Sequence, residues 1–214
     1  MSGSHRPAAV AGMFYPGAVP ALREAVRALI DGATAAAETA PPKLLVVPHA
    51  GFVYSGPVAA QAYAALARWR TRLRRVVLLG PTHRVAVRGI AVPTVAAFDT
   101  PLGAVALDRD AIASIADLPQ VVASDAAHAN EHALEVQLPF LQTVLERFNL
   151  VPLAVGHVAP AAVAEVIERL WGGDETLIIV STDLSHYLPY AQARTIDAQT
   201  VQRMLHFDAT IAHD

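Results

Sequence analysis

The fold is decided by the stretch RVVLLGPTH, residues 75–83, in which a short apolar run leads into a turn and a histidine. In the strand expected at residues 75–79, the last four residues, VVLL, are apolar on both faces, which is typical of a strand buried inside a parallel sheet. Similar runs recur at residues 43–47, 150–155 and 176–180, and segments with helical periodicity separate them. Strands that alternate with helices need crossover connections, so the sequence predicts an α/β fold, a three-layer α/β/α sandwich with a mostly parallel central sheet.

The remaining elements follow from apolar spacing and from turn-forming residues. Residues 89–95 and 103–107 are expected to pair as a small antiparallel unit, and residues 33–42 to form a surface linker. A break is expected at Pro139 inside the fourth predicted helix. The predicted helices cover residues 20–30, 55–69, 108–115, 131–147, 160–171 and 189–207.

Composition narrows the functional classes. The chain has 214 residues, 54% of them hydrophobic, with a net charge of -3 and no cysteine. A length of this order suits one domain covering residues 1–214. The charge argues against nucleic-acid and anionic-membrane partners, and the lack of thiols excludes disulfide scaffolds, zinc–thiolate sites and iron–sulfur clusters. No apolar run approaches the roughly 18 residues of a membrane span and no signal peptide is evident, so we expect a cytoplasmic protein.

A histidine follows each of three predicted strands, namely His49, His83 and His186. In open α/β sheets, ligands bind outside the carboxyl ends of the strands. We therefore expect these side chains to lie at one edge of the sheet, where they would form a shared site. The alternative is that they are separate surface or hydrogen-bonded core histidines, since the chain contains nine histidines.

Such a cluster has a defined chemistry. Neutral imidazole binds iron, zinc and copper, and two histidines with a carboxylate suit non-haem Fe(II). Asp183 lies three residues before His186, so that either side chain could complete the coordination or transfer a proton beside the metal. Tyr54 and Ser55 belong to a polar loop that leads to a helix N-terminus, a place where an anionic group can bind.

A second constellation is HANEH, residues 128–132, followed by Glu135. The H-x-x-E-H spacing predicts a zinc peptidase, with His128 and His132 as ligands and Glu131 as general base. An alternative is that Glu131, His132 and Glu135 line or orient the main site. A third is that the segment is simply the polar start of a helix.

Several longer motifs resemble the Memo family, also called AmmeMemoRadiSam system protein B. The resemblance implies a fold similar to the LigB-type class III extradiol dioxygenases, which use non-haem Fe(II). It also implies that His49 and His83 are metal ligands and that Asp183 and His186 line the same pocket. The matching stretches are residues 6–16, PHAGFVYSG at 48–56, LGPTH at 79–83, EHALEVQLPF at 131–140 and STDLSHY at 181–187.

One departure from the family pattern concerns the third metal ligand, which in the family is a cysteine C-terminal to every residue present here. We therefore expect this chain to lack the family's C-terminal part and expect His186 to serve as a further ligand.

The sequence favours two alternative functions. The first is a metal-binding redox enzyme that acts on an unknown small molecule through Asp183, His186 and His132, with Fe(II) as its metal and copper or zinc as alternatives. The second is a non-catalytic scaffold that uses the dioxygenase-like cleft to bind a peptide or a protein. The resemblance also implies a functional link to a radical-SAM protein and to an AMMECR1-like protein.

Overall fold

The computed structural model describes residues 4–34 and 40–208 of the chain. Two compact units can be distinguished, residues 1–182 and residues 183–214. Within the described residues, every β-strand belongs to the first unit and the last α-helix belongs to the second. The middle of the expected linker at 33–42 lies outside the described residues. The assignment of one Memo-like domain to residues 1–214 stays a prediction.

The secondary structure alternates between strands and helices along the first unit. Its strands are β1 (His5–Arg6), β2 (Leu44–Val47), β3 (Arg75–Pro81), β4 (Ile90–Val92), β5 (Ala97–Thr100), β6 (Gly103–Ala106), β7 (Val121–Ala123), β8 (Asn149–Val155) and β9 (Thr176–Ser181). Its helices are α1 (Val19–Asp31), α2 (Phe52–Ala64), α3 (Arg109–Ala113), α4 (Asp125–Ala129), α5 (Leu138–Val144) and α6 (Pro160–Arg169). The second unit contains α7 (Tyr190–Leu205). Every helix of the described ranges is too short or too polar to cross a lipid bilayer.

The main sheet has six strands in the order β2-β9-β3-β8-β4-β7. The first four are mutually parallel, β4 runs antiparallel to β8, and β7 is parallel to β4. A second sheet has the order β1-β5-β6. The predicted α/β class with a mostly parallel central sheet is confirmed.

The core explains why the central strands are apolar on both faces. Leu78 in β3 and Ile178 in β9 are completely buried, as are their strand neighbours Val77 and Leu177. Burying each such side chain contributes about 1.5–3 kcal/mol. Helices α1, α2 and α5 contact one another, whereas α3 packs near β8. The arrangement is that of an α/β/α sandwich.

The expected pairing of residues 89–95 with 103–107 is wrong. β6 pairs instead with β5, and Thr100 faces Gly103 across a two-residue turn. Gly103 has a φ of +122°, a conformation that favours glycine and permits this tight connection. β4 is buried along its whole length and lies in the main sheet beside β8, because three apolar residues in a row suit a covered strand.

The helix predicted over residues 131–147 is also wrong in its first part. Ser124 caps α4, which ends at Ala129, and α5 begins only at Leu138 after a short 3-10 turn. Pro139 stands in the first turn of α5, where its missing N–H and fixed φ favour a helix start rather than a break. The segment between the two helices is therefore free to present its backbone N–H groups to a side chain.

Glu135 ties the N-terminal segment to the body of the first unit. Its carboxylate is fully buried and accepts hydrogen bonds from Arg6 Nη1 at 2.5 Å and from Tyr15 Oη at 2.5 Å. It also accepts from the backbone N–H groups of Ala9 at 2.7 Å and Val10 at 3.0 Å. Four donors offset the cost of placing one carboxylate in the core.

Arg6 extends the same network toward the region after α4. Its Nε donates to the carbonyl of His128 at 2.7 Å, and its Nη2 donates to the carbonyl of Glu131 at 2.7 Å. Only 4% of the Arg6 surface is exposed, so its charge is balanced by Glu135 and not by water. The N-terminal segment is thereby fixed beside residues 128–131.

Replacing Glu135 by glutamine should destabilise the protein strongly. The neutral amide of glutamine cannot balance the charge of Arg6. Its NH2 group would also face the hydrogen-bond donors that now surround the carboxylate. We therefore expect a loss of about 3–5 kcal/mol in the free energy of unfolding. Urea unfolding monitored by circular dichroism measures this free energy of unfolding. Asp117→Asn is the control, because Asp117 pairs with Arg169 at an exposed position, where an ion pair contributes less than about 1 kcal/mol. Equal losses in the two variants would contradict this account.

Candidate metal centre

Three histidines converge at the carboxyl edge of the parallel strands. β2, β9 and β3 are neighbours, and His49 and His83 each lie two residues beyond the end of β2 and β3. The ring centroids of these two histidines are 5.2 Å apart, and His132 completes the group at 5.6 Å from His49 and 4.5 Å from His83. Each ring offers a nitrogen, and the three nitrogens all lie within 4.8 Å of one another.

A glycine in β3 lets His132 reach this edge. A Cβ atom on Gly80 would lie 2.8 Å from Leu134 Cδ2 and 3.2 Å from the Cβ of Ala133. The side chains of Leu134 and Ala133, which follow His132, therefore pack closely over this glycine, and a larger residue at position 80 would force Leu134 to shift. This close approach explains how a residue outside the strand ends joins the cluster.

Glu131 fixes the orientation of His83. Its Oε1 lies 2.8 Å from His83 Nδ1, and its Oε2 accepts the His83 backbone N–H at 2.6 Å. An ionised carboxylate only accepts hydrogen bonds, so the His83 Nδ1 carries the proton and its Nε2 carries the lone pair that a metal requires. Oε1 also accepts the backbone N–H groups of His132 and Ala133, each at 2.9 Å.

The electrostatics keep Glu131 ionised. Its side chain is only 1% exposed, and this burial opposes ionisation. The N–H donors of His83 and Ala133 and the proximity of the His83 imidazole outweigh the burial, so the pKa of the Glu131 carboxyl lies below its ordinary value. A buried, ionised carboxylate thus stands directly behind the cluster.

His132 is held by packing rather than by a hydrogen bond. Its ring is stacked on His83 with 27° between the planes, and Phe14 contacts it at 4.6 Å between centroids. Its Nδ1 is buried without a hydrogen-bond partner. Glu131 Oε1 lies 3.4 Å away and already accepts three N–H groups. Burial lowers the pKa of His132, although the Glu131 carboxylate offsets part of this effect. The imidazole is therefore neutral at neutral pH, as metal binding requires.

These observations fit a bound metal ion. The three side chains supply nitrogen donors within reach of a single ion, and one buried ring nitrogen, Nδ1 of His132, lacks a hydrogen-bond partner. His49 is 3% exposed and its Nδ1 lies 3.1 Å from Ser181 Oγ, so this ring too is held by a defined contact. Imidazole donors of this kind suit Fe(II), copper and zinc.

The other predicted site residues of the first unit lie around this cluster in different ways. Ser55 donates its hydroxyl to the carbonyl of Ala50 at 2.6 Å and so braces the loop after His49. Tyr54 is 81% exposed at the start of α2. Glu135, which was expected to line or orient the site, holds the N-terminal segment through the four hydrogen bonds described above.

Asp183 and His186 belong to the second unit. There the backbone N–H of Ser185, between them, donates to the Asp197 carboxylate at 3.0 Å, and the ring of His186 lies 6.0 Å from that of Tyr187. Their assignments as catalytic residues, and that of His186 as a ligand, stay predictions.

Sequence reasoning placed His132 at the site as a catalytic residue but missed it as a member of the three-histidine group. It also missed Ser181 as a contact of His49. The available signal for Ser181 was its position directly after the strand predicted at residues 176–180. The place of that strand between those that carry His49 and His83 is known only from the structure. The signal for His132 was its place beside Glu131, but no spacing rule connects residue 132 to residue 83.

The zinc-peptidase interpretation of residues 128–132 is wrong. α4 ends at Ala129, so His128 and His132 do not share a helix. The ring of His128 is directed to a different place, where its Nε2 donates to the carbonyl of Ala91 at 3.0 Å and its edge faces Phe98. Because a carbonyl oxygen can only accept, this nitrogen carries a proton and is not a ligand.

Comparison with known proteins gives a consistent result. The family model described as Memo-like protein matches residues 6–214. A MEMO1 family protein of Methanopyrus kandleri is 38% identical over 219 residues, which covers 95% of this chain and 76% of that protein. A MEMO1 family protein of Aquifex aeolicus is 36% identical over 204 residues, which covers 93% of this chain and 74% of that protein. One from Thermotoga neapolitana is 34% identical, with 85% of this chain and 70% of that protein covered.

His128 should make the stability of the fold depend on pH. Burial lowers its pKa to about 4, against the opposing effect of the hydrogen bond to Ala91. Above about pH 6.5, the pKa of histidine in the unfolded chain, His128 is neutral in both states and its burial does not reduce the free energy of unfolding. As the pH falls from 6.5 to 4, the unfolded chain binds a proton that the folded chain does not, which should cost about 3 kcal/mol of stability.

Urea unfolding at several pH values between 4 and 8 tests this expectation. His128→Gln retains an N–H donor for Ala91 but has no titrating group, so its stability should fall less steeply between pH 6.5 and 4. Parallel pH profiles in the two proteins would refute the assignment.

Proposed function

The chain belongs to the Memo-like family, and from this premise we propose that it is a metal-binding protein whose ion is held by His49, His83 and His132. The observation that supports the proposal is the meeting of three imidazole nitrogens within 4.8 Å. Imidazole nitrogens at this spacing can bind one ion together, although their residues come from three distant parts of the sequence.

Fe(II) is the metal we propose, with copper or zinc as the alternatives. All three ions accept imidazole nitrogen, and three protein donors leave positions for other ligands. Bound Fe(II) or copper would supply one-electron redox chemistry, so the proposed reaction class is a redox reaction on a small molecule. This class agrees with the resemblance to non-haem dioxygenases.

The chain's own residues would prepare the site. Glu131 holds the His83 ring with its Nε2 available, and the packing of Phe14 on His132 shields that ring from water. Burial lowers the pKa of His132 and so favours its neutral form over the imidazolium. Little rearrangement would then be needed when a metal binds.

Several expectations from the sequence remain as proposals beside this one. Asp183 and His186 are proposed as further ligands or proton carriers. A cytoplasmic location and a functional link to a radical-SAM protein and an AMMECR1-like protein are proposed from the resemblance alone.

Metal titration tests the ligand set. We expect the wild type to bind one Fe(II) under anaerobic conditions, and expect His49→Ala, His83→Ala and His132→Ala each to weaken binding by more than the roughly 10–100-fold that loss of a hydrogen-bond partner to a ligand costs. Competition with a chromophoric chelator measures the affinity. His157→Ala is the matched control, since His157 is exposed and follows β8. Equal binding by the wild type and the His49→Ala, His83→Ala double variant would end the proposal.

Glu131→Gln should weaken the same binding by about 10–100-fold. The neutral amide of glutamine lacks the negative charge that holds the His83 ring. Its NH2 group would also face the backbone N–H groups that now donate to the carboxylate. Glu165→Gln, which neutralises an exposed carboxylate, should leave the affinity unchanged. Unaltered affinity in a folded Glu131→Gln protein would show that this carboxylate does not support the metal ligands.

The redox assignment is tested separately from binding. The Fe(II)-loaded wild type, mixed with a small-molecule cell extract, should consume oxygen faster than the His83→Ala variant in the same extract. Tight metal binding with no difference in oxygen uptake would remove the oxygen-dependent enzymatic role, and the scaffold function in the same cleft would then be the better account.

A further inference from the structure

A buried network behind His49 begins at Gln137. The side chain of Gln137 is 1% exposed, and its Nε2 lies 2.9 Å from the carbonyl oxygen of Pro48 and 2.8 Å from Ser181 Oγ. A carbonyl oxygen can only accept, so the atom facing Pro48 is the amide nitrogen and the orientation of the amide is determined. Both of its hydrogens are then committed, one to Pro48 and one to Ser181.

The other end of the amide is equally constrained. Tyr63 is fully buried and donates its hydroxyl to Gln137 Oε1 at 2.8 Å. Burial raises the pKa of Tyr63 well above 10, so the phenol keeps the proton that it donates. Its ring is stacked on Phe140 with centroids 5.0 Å apart and 7° between the planes, which holds the donor in place.

The hydrogen bonds of Ser181 determine what His49 must do. The Ser181 hydroxyl donates its single hydrogen to the carbonyl of Ala133 at 2.6 Å and accepts one from Gln137. Toward His49 Nδ1, at 3.1 Å, Oγ can therefore only accept. It follows that Nδ1 of His49 carries a hydrogen, so that in the neutral imidazole, the form that binds metals, Nε2 carries the lone pair.

We propose that Gln137 and Ser181 are positioning residues that hold His49 in the tautomer protonated at Nδ1, so that Nε2 is the nitrogen offered to the metal. The role of Nε2 as a metal ligand rests on the proposed function, whereas the tautomer rests on the hydrogen bonds alone. Gln137 acts twice, because it anchors the backbone of the residue before His49 and also orients the hydroxyl that His49 contacts. The order β2-β9-β3 places Ser181 on the strand between those that carry His49 and His83.

His49 and His83 are thus oriented by different chemistry. His83 donates to the ionised Glu131, whereas His49 donates to a neutral hydroxyl that belongs to an amide and phenol network. Each device fixes the tautomer by giving Nδ1–H an acceptor, which is the usual way in which a histidine ligand is oriented. The neutral network does so without placing a second negative charge in the core.

The test measures the tautomer in the metal-free protein and the affinity for Co(II) in the same variants. Nitrogen-15 NMR of the imidazoles should show His49 protonated at Nδ1 in the wild type. In Ser181→Ala this preference should be lost, because Nδ1–H no longer has an acceptor. Visible absorption during Co(II) titration should show affinity reduced by about 10–100-fold.

Further variants are expected to lower the Co(II) affinity by different amounts. Gln137→Leu should reduce Co(II) affinity at least as much as Ser181→Ala, whereas Tyr63→Phe keeps both bonds of Gln137 Nε2 and should lose less. Thr143→Ala is the control, because it also removes a hydroxyl that donates to a carbonyl, that of Pro139, but has no bond to the network. If Gln137→Leu does not fold, Ser181→Ala still decides the question.

Two results would overturn the inference. One is a wild-type His49 protonated at Nε2 instead of Nδ1. The other is a folded Ser181→Ala protein with the wild-type tautomer and the wild-type Co(II) affinity. If the wild type binds neither Co(II) nor Fe(II), the proposed function fails, while the NMR measurement alone still decides whether Gln137 and Ser181 set the tautomer.

Discussion

The carboxylate of Glu131 is the interaction on which the rest of the site depends. It is almost completely buried, yet it accepts two hydrogen bonds from His83 and one each from the backbone N–H groups of His132 and Ala133. Four donors supply what water would otherwise provide, so the charge is tolerated inside the protein. One side chain therefore joins the end of β3 to the segment before α5 and brings two imidazoles into contact.

The surrounding structure is arranged to keep that segment in place. Gly80 leaves room for the side chains of Leu134 and Ala133 above β3. Glu135 and Arg6 tie the N-terminal segment to the same region. Phe14, which belongs to this N-terminal segment, then covers His132. Two buried acidic residues four positions apart thus have separate tasks, since Glu131 orients histidines and Glu135 secures the wall beside them.

The strand rule accounts for what could be foreseen about the site. Apolar runs identified β2, β3, β8 and β9, and the carboxyl ends of parallel strands meet at one edge, which brought His49 and His83 together. The sequence-based predictions were wrong where the spacing of apolar residues fits both a helix and an irregular segment. Residues 131–134 have helical spacing, but the Glu131 carboxylate accepts the N–H groups of His132 and Ala133. Pro139 starts a helix instead of interrupting one.

The sequence by itself determined the α/β class, the buried parallel strands and the positions of two histidines, because all of these depend on local patterns and on one rule of sheet geometry. Only the tertiary structure decided that His132 is the third member of the cluster, that His128 is directed elsewhere, and that Gln137 and Ser181 stand behind His49. These facts depend on hydrogen bonds between residues 37 or more positions apart. No periodicity records which donor will meet which acceptor once the chain has folded.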